Sequence, residues 1–135
     1  MITAVDTSVL IDVFRNDPRF GTLSADALRR CIQEGRIVAC DVVFAELAAL
    51  FPSPRAFREA VGALNLDFSP MEQESALLAG DMWRKYRAQG GDRQRVVADF
   101  LVAAHALRQC DRLLTRDRGF YRKYFSKLKV MDPSK

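Results

Sequence analysis

Short apolar runs alternate along this chain with longer stretches whose apolar residues recur every three or four positions, and no other feature restricts the fold as much. Ile2-Thr3-Ala4-Val5 is the first run, and Val9-Leu10-Ile11-Asp12-Val13-Phe14 is the first helix-compatible stretch. Further runs lie at 36–40, 64–68, 112–115 and 128–131, with helical or turn patterning between them. A tight turn can join antiparallel strands, whereas parallel strands need a crossover of a dozen or more residues, usually a helix. The reading is therefore an α/β fold, a three-layer α/β/α sandwich around a mostly parallel central sheet.

Cap signals place the helix limits. Ser24 precedes a pattern with Ala27, Leu28, Cys31 and Ile32 on one face and Gly35 as its stop. Asp41 is placed to cap helix 41–50, and Ser53-Pro54 supplies the cap and first position of helix 54–63. Ser69-Pro70-Met71-Glu72 has the form of a capping box opening a long helix through 88. Gly90-Gly91 then breaks the chain before a helix over 94–108, and 119–125 is a short helical or turn segment.

With 135 residues, 49% of them apolar, the chain can fill one core, so residues 1–135 are read as a single domain. No apolar run reaches the roughly 18 residues of a membrane span. The opening Met1-Ile2-Thr3-Ala4-Val5-Asp6 also lacks the basic start and long apolar stretch of a signal peptide, which points to the cytoplasm. Cys31, Cys40 and Cys110 are odd in number and in no CxxC spacing, so they read as reduced packing residues, not as a disulfide framework or zinc site.

Open parallel sheets bind ligands beyond the carboxyl ends of their strands. Asp6 ends the first strand and Asp117 follows Leu113-Leu114-Thr115-Arg116, so both are expected at that edge. A helix cap and an Asx turn are the plain structural explanations for them. Glu46 is different, because Val42, Val43, Ala49 and Leu50 occupy the helical positions three and four residues away; its own face is apolar. Asp99 repeats the pattern among Val96, Val102 and Ala103. A carboxylate directed into an apolar layer costs several kcal/mol unless a cation or metal accompanies it.

Two strand-end acids and two acids on helices that begin near the same edge are expected to converge on one pocket. Carboxylates about 5 Å apart repel by roughly 3 kcal/mol per pair at an effective dielectric constant near 20. Mg²⁺, with Mn²⁺ as substitute, is the natural counter-ion for oxygen donors of this kind. A metal held by carboxylates and water suits hydrolysis of a phosphodiester. Charge along the chain fits a polyanionic substrate: residues 1–83 carry 7 Lys/Arg against 12 Asp/Glu, net −5, and residues 84–135 carry 14 against 5, net +9. Arg93 and Arg95 before Asp99, and Arg116 and Arg118 around Asp117, are the candidate phosphate-binding cations for a nucleic acid.

Four segments carry a resemblance to a known family: Val5-Asp6-Thr7-Ser8-Val9-Leu10-Ile11-Asp12, Phe44-Ala45-Glu46-Leu47, Ala98-Asp99-Phe100-Leu101-Val102-Ala103-Ala104-His105-Ala106 and Leu113-Leu114-Thr115-Arg116-Asp117. In this order and spacing the chain resembles, over nearly its whole length, the PIN domain, and within it the toxin component of VapBC-type toxin–antitoxin pairs. The resemblance implies that Asp6, Glu46, Asp99 and Asp117 form the catalytic Mg²⁺/Mn²⁺ site of an endoribonuclease. It implies that Thr7 or Ser8, and Thr115, support that site through hydroxyl or backbone contacts. It further implies a homodimer and an inhibitory VapB-like antitoxin.

Other residues read as structural. His105 lies six residues from Asp99, about 120° around a helix, and reads as core or interface. Asp12 reads as an exposed helix position and Asp41 as a cap. Leu78, Met82, Trp83 and Tyr86 form a packing stripe. Phe120, Tyr121, Tyr124 and Phe125 either stack RNA bases or anchor the chain end. Three other readings compete with the nuclease. A phosphoacceptor receiver domain needs an adjacent acid pair, but Thr7 and Ser8 follow Asp6, and a dehalogenase-type phosphatase needs Asp-x-Asp, whose second position is Ser8. A non-catalytic RNA-binding or partner-docking module would use the arginines alone and bind RNA as well in EDTA as in Mg²⁺.

Overall fold

The computed structural model describes residues 1–90 and 97–134. Its elements run β1 (Ile2–Val5), α1 (Thr7–Phe14), α2 (Gly21–Glu34), β2 (Arg36–Ala39), α3 (Asp41–Ala48), α4 (Pro54–Leu64), β3 (Leu66–Phe68), α5 (Gln73–Ala88), α6 (Val97–Gln109), β4 (Arg112–Leu114), α7 (Arg118–Tyr124) and β5 (Val130–Met131). The strands form one sheet in the order β3-β2-β1-β4-β5. Every pairing in it is parallel. Helices flank both faces, giving the three-layer α/β/α architecture. Sheets covered on both sides need strands that are apolar throughout. Ala4, Val5, Ile37, Val38, Ala39, Leu113 and Leu114 are accordingly all buried.

Starting from β1, the chain builds one side of the sheet through β2 and β3, then crosses back over β1 to build the other side through β4 and β5. The order reverses between β1 and β4, so the crevice expected of an open α/β sheet opens at the carboxyl ends of those two strands. Val5 is in register with Leu114, and the Asp6 N–H continues the ladder onto the Leu114 carbonyl at 2.9 Å. A receiver-type sheet runs 2-1-3-4-5. This strand order is different.

Three helix limits differ from those the sequence suggests. α5 begins at Gln73, not within the apparent capping box, and Glu72 at its cap makes no side-chain cap bond. Tertiary partners hold the intervening segment extended: Ser69 N–H bonds the Ala39 carbonyl, Met71 N–H bonds Asp41, and Glu72 N–H bonds Gln109. Asp41 is thus the first residue of α3, not its cap, and its carboxylate serves the chain entering α5. α2 begins at Gly21, upstream of Ser24, after Asp17 accepts the Arg19 and Phe20 N–H groups. Ser53 does cap α4, accepting the Ala56 N–H with Pro54 in the first turn. Gly35 lets the chain pass directly over the first residue: a Cβ there would meet the Met1 carbonyl oxygen at 1.9 Å.

α6 ends at Gln109, three residues before β4 opens at the amino edge of the sheet. Its thirteen residues rise about 20 Å, so its first turn, with Asp99, stands at the carboxyl edge.

Candidate functional site

Asp6 stands where β1 gives way to α1 and caps that helix: its Oδ1 accepts the Thr7 N–H at 2.8 Å. The cap explanation and the site explanation are therefore both true of one side chain. Oδ2 accepts from the Thr115 hydroxyl at 2.8 Å and the Tyr121 hydroxyl at 3.4 Å. Thr115, fully buried, accepts in turn from the Asp117 N–H at 3.0 Å. The end of β1 and the turn after β4 are thus stitched together across the switch point.

Loss of solvation pushes the Asp6 carboxyl above the ordinary Asp value of 3.8; the Thr115 and Thr7 bonds oppose this, and repulsion from Asp99 and Glu46 adds to it. The Tyr121 phenol is pushed up strongly, first by burial and then by the charges of Asp6, Asp99 and Asp117. Asp6 shares its surroundings with Glu46 and Asp99, and Asp117 joins Asp6 and Asp99 around Tyr121. Among the described residues no group of three or more His, Cys, Asp or Glu is arranged to hold a metal ion.

The acids differ in depth. Asp6, Asp99 and Asp117 are half-buried, whereas Glu46 is exposed at the rim and accepts from the Thr7 hydroxyl at 2.8 Å. The apolar-face argument for Glu46 fails because α3 stops at Ala48: Ala49 and Leu50 lie beyond the helix, and both are exposed. Ser8 Oγ is buried beside these groups in sequence and has no hydrogen-bond partner.

Arg116 does not project toward the acids as a spare cation. Its Nε and second guanidinium nitrogen bond Asp12 at 2.8 and 3.1 Å, and its guanidinium carbon lies 4.1 Å from the centre of the Phe20 ring. Asp12, read from sequence as exposed, is 2% exposed, and it also accepts from the Ser24 hydroxyl at 2.8 Å. Arg15 and Asn16 in its following turn gave it a solvent-facing pattern; the one opposing signal was Val9, three residues before, which is wholly buried. Arg118 opens α7 half-buried, and Arg93 and Arg95 lie outside the described residues.

His105 is 1% exposed and bonds the Ser69 hydroxyl at 2.9 Å, and burial lowers its pKa. It is a neutral core histidine. Phe120, Tyr121 and Phe125 are buried against one another and Phe100, with Tyr124 against Tyr86 and Phe120, so this group anchors the chain end. Tyr121 is the contributor to the site that sequence reasoning missed. Its signal was an aromatic in the turn after Asp117, masked by three similar neighbours.

A family model described as the PIN domain matches residues 3–126. No curated protein matches the chain. Solved structures similar to it include VapBC2 from Rickettsia felis bound to a promoter DNA fragment, at 17% identity and a TM-score of 0.77, covering 98% of each chain. VapBC-1 from nontypeable Haemophilus influenzae aligns at 20% identity and a TM-score of 0.76 over 100% of both chains. DNA-bound VapBC from Salmonella typhimurium aligns at 18% identity and a TM-score of 0.69, again over 98% of each.

Proposed function

The chain belongs to the PIN domain family, and on that premise we propose that it is a metal-dependent endoribonuclease, the toxin of a type II toxin–antitoxin pair. The observation that carries the reading is the state of Asp6. A half-buried carboxylate at the sheet's switch point, fixed by three neutral donors and repelled by Asp99 and Glu46, is suited to a positive charge brought from outside.

PIN nucleases generally use divalent metal ions. The donors here are all carboxylate and hydroxyl oxygen, which fits Mg²⁺ or Mn²⁺. Mg²⁺ commonly keeps several waters and takes only one or two carboxylates, so a ready three-carboxylate cage is not required. Asp6, Glu46, Asp99 and Asp117 are the residues that would hold the ion. Such an ion lowers the pKa of a bound water and offsets charge on a phosphodiester. Thr7 and Thr115 fix the carboxylates through their hydroxyls, and Ser8 offers a spare hydroxyl beside them. Tyr121, its phenol kept protonated, donates toward Asp6 and takes no proton from substrate. RNA would enter along the basic C-terminal stretch, with Arg118, Arg93 and Arg95 as phosphate contacts.

The full-length likeness to VapBC complexes supports a VapB-like antitoxin as partner. The homodimer implied by the family resemblance is part of the same proposal. Among the described residues no helix is long and apolar enough to cross a membrane. The proposal takes residues 1–135 as one domain and the cytoplasm as its place of action.

The test is RNA cleavage by purified protein in Mg²⁺ or Mn²⁺ against EDTA, with Asp99→Asn beside wild type. Cleavage is expected only with metal, and the variant should lose more than the roughly 10–100-fold typical of disturbing an outer partner of a metal ligand. Undiminished cleavage by folded Asp99→Asn protein would overturn the assignment.

A further inference from the structure

We propose that Arg116 is a positioning residue for this active site, acting through Asp12, and is not a contact for the RNA backbone. The inference rests on the proposed nuclease reading for its functional meaning and on a separate set of contacts for its geometry.

Arg116 sits between the two residues of the β4–α7 turn that matter most. Thr115 bonds Asp6, and Asp117 bonds Thr115. In the backbone of the turn, Thr115 N–H bonds the Met131 carbonyl at 2.9 Å and Tyr121 N–H bonds the Asp117 carbonyl at 3.5 Å. The Arg116 side chain ties the turn to the elements on its far side. Its guanidinium meets the Asp12 carboxylate with two parallel N–H donors, lies on Phe20, and feels the nearby Asp17 charge. Asp12 is held in turn by Ser24 from α2. α1, α2 and the intervening loop thus grip the turn through one planar group.

That geometry belongs to arginine alone. A two-pronged contact with a carboxylate and a stack on an aromatic ring both require the guanidinium plane, and a lysine at the same place supplies only a point charge. A phosphate contact is more forgiving, since binding to the RNA backbone follows the number of cations engaged. The two roles therefore separate by substitution. Arg116→Lys keeps the charge and loses the plane. Arg116→Gln loses the charge and keeps some hydrogen bonding.

The experiment measures four quantities on wild type, Arg116→Lys, Arg116→Gln and Asp12→Asn: kcat and KM for RNA cleavage in Mg²⁺, Mn²⁺ affinity by calorimetry, the salt slope of RNA binding in EDTA, and the exchange rate of the Asp117 amide. Positioning predicts that Arg116→Lys lowers kcat about 10-fold or more, in the range seen when a metal ligand loses its outer partner, with KM nearly unchanged. It predicts weaker Mn²⁺ binding, faster Asp117 amide exchange and an RNA salt slope equal to wild type in all three variants. Asp12→Asn should reproduce the kcat loss although its side chain is buried away from any substrate. A wild-type kcat in Arg116→Lys, or a salt slope flattened by about one charge in Arg116→Gln, overturns the proposal and returns Arg116 to the RNA path. Wild-type protein inactive with either metal would instead refute the nuclease reading, and Mn²⁺ affinity and Asp117 exchange would then decide the role of Arg116. Should Arg116→Gln fail to fold, Arg116→Lys and Asp12→Asn carry the same comparison.

Discussion

Asp6 and Asp12 lie on the same short helix, one capping α1 and the other two turns along it, and the fold treats their charges in opposite ways. Asp12 is wholly buried and meets a guanidinium of the chain's own at 2.8 Å. Asp6 is half-buried, its bonds come from an amide and two hydroxyls, and its charged neighbours named above are acids. One acid is completed by an arginine of the chain, while the hydrogen bonds that hold the other come from neutral donors. A chain able to bury an Asp–Arg pair so close by does not lack the means to neutralise Asp6. On the proposed nuclease reading, that position is kept for a charge that comes and goes with function.

The largest test of this contrast is on the completed side. Arg116→Ala strands a buried carboxylate, a change that typically costs about 3–5 kcal/mol. Because the Arg116 side chain is itself 31% exposed, the low end, about 3 kcal/mol, is expected in urea unfolding at pH 7. A loss below about 1 kcal/mol, the worth of a surface pair, would mean that Asp12 finds solvent and the contrast is false.

The same measurement on the uncompleted side should give a smaller effect of opposite sign. Asn caps a helix as well as Asp does, so Asp6→Asn keeps the cap and removes the repelled charge. At pH 7 the variant is expected to unfold at higher urea than wild type while losing RNA cleavage. Because the folded-state pKa of Asp6 is raised, ionising it costs stability, fully above that pKa and not at all below the unfolded value of 3.8. The advantage of Asp6→Asn should therefore shrink as pH falls toward 3.8. An Asp6→Asn protein less stable than wild type at pH 7 would show that the carboxylate is already compensated.

The contrast was only half legible in the amino-acid order. Asp6 and Asp117 could be placed at the ligand edge because strand ends are marked locally, by Asp-Thr-Ser after Ile2-Thr3-Ala4-Val5 and by Thr-Arg-Asp after Leu113-Leu114. Asp99 could be placed because α6 is long enough for its period to be read. Glu46 was placed on a wrong premise, since α3 is too short to carry its pattern to Leu50. Asp12 was misread as exposed, and its pairing with Arg116 was not seen, because that pairing spans 104 residues and no local rule reports it. The capping box at Ser69 failed for the same reason: its donors and acceptors are satisfied by Ala39, Asp41, His105 and Gln109, all distant in sequence. Local signals were overridden wherever a tertiary partner offered the same hydrogen bond.

The smallest effect separates the donors that hold Asp6 from one another. Tyr121 reaches Oδ2 at 3.4 Å, near the limit for an O–H···O bond, while Thr115 reaches the same oxygen at 2.8 Å. The Tyr121 ring packs on Phe120, and phenylalanine would preserve that contact. Tyr121→Phe should thus change stability at pH 7 by no more than about 1 kcal/mol, the usual worth of a single neutral hydrogen bond. Its direction is informative. If the phenol steadies a carboxylate that has no cation, its loss raises the Asp6 pKa further, so the pH window over which wild-type stability declines moves upward. Urea midpoints measured from pH 4 to pH 8 read that shift directly. A profile superimposable on wild type would mean that Thr115 and the Thr7 amide hold the charge alone, leaving Tyr121 as packing that happens to end near an acid.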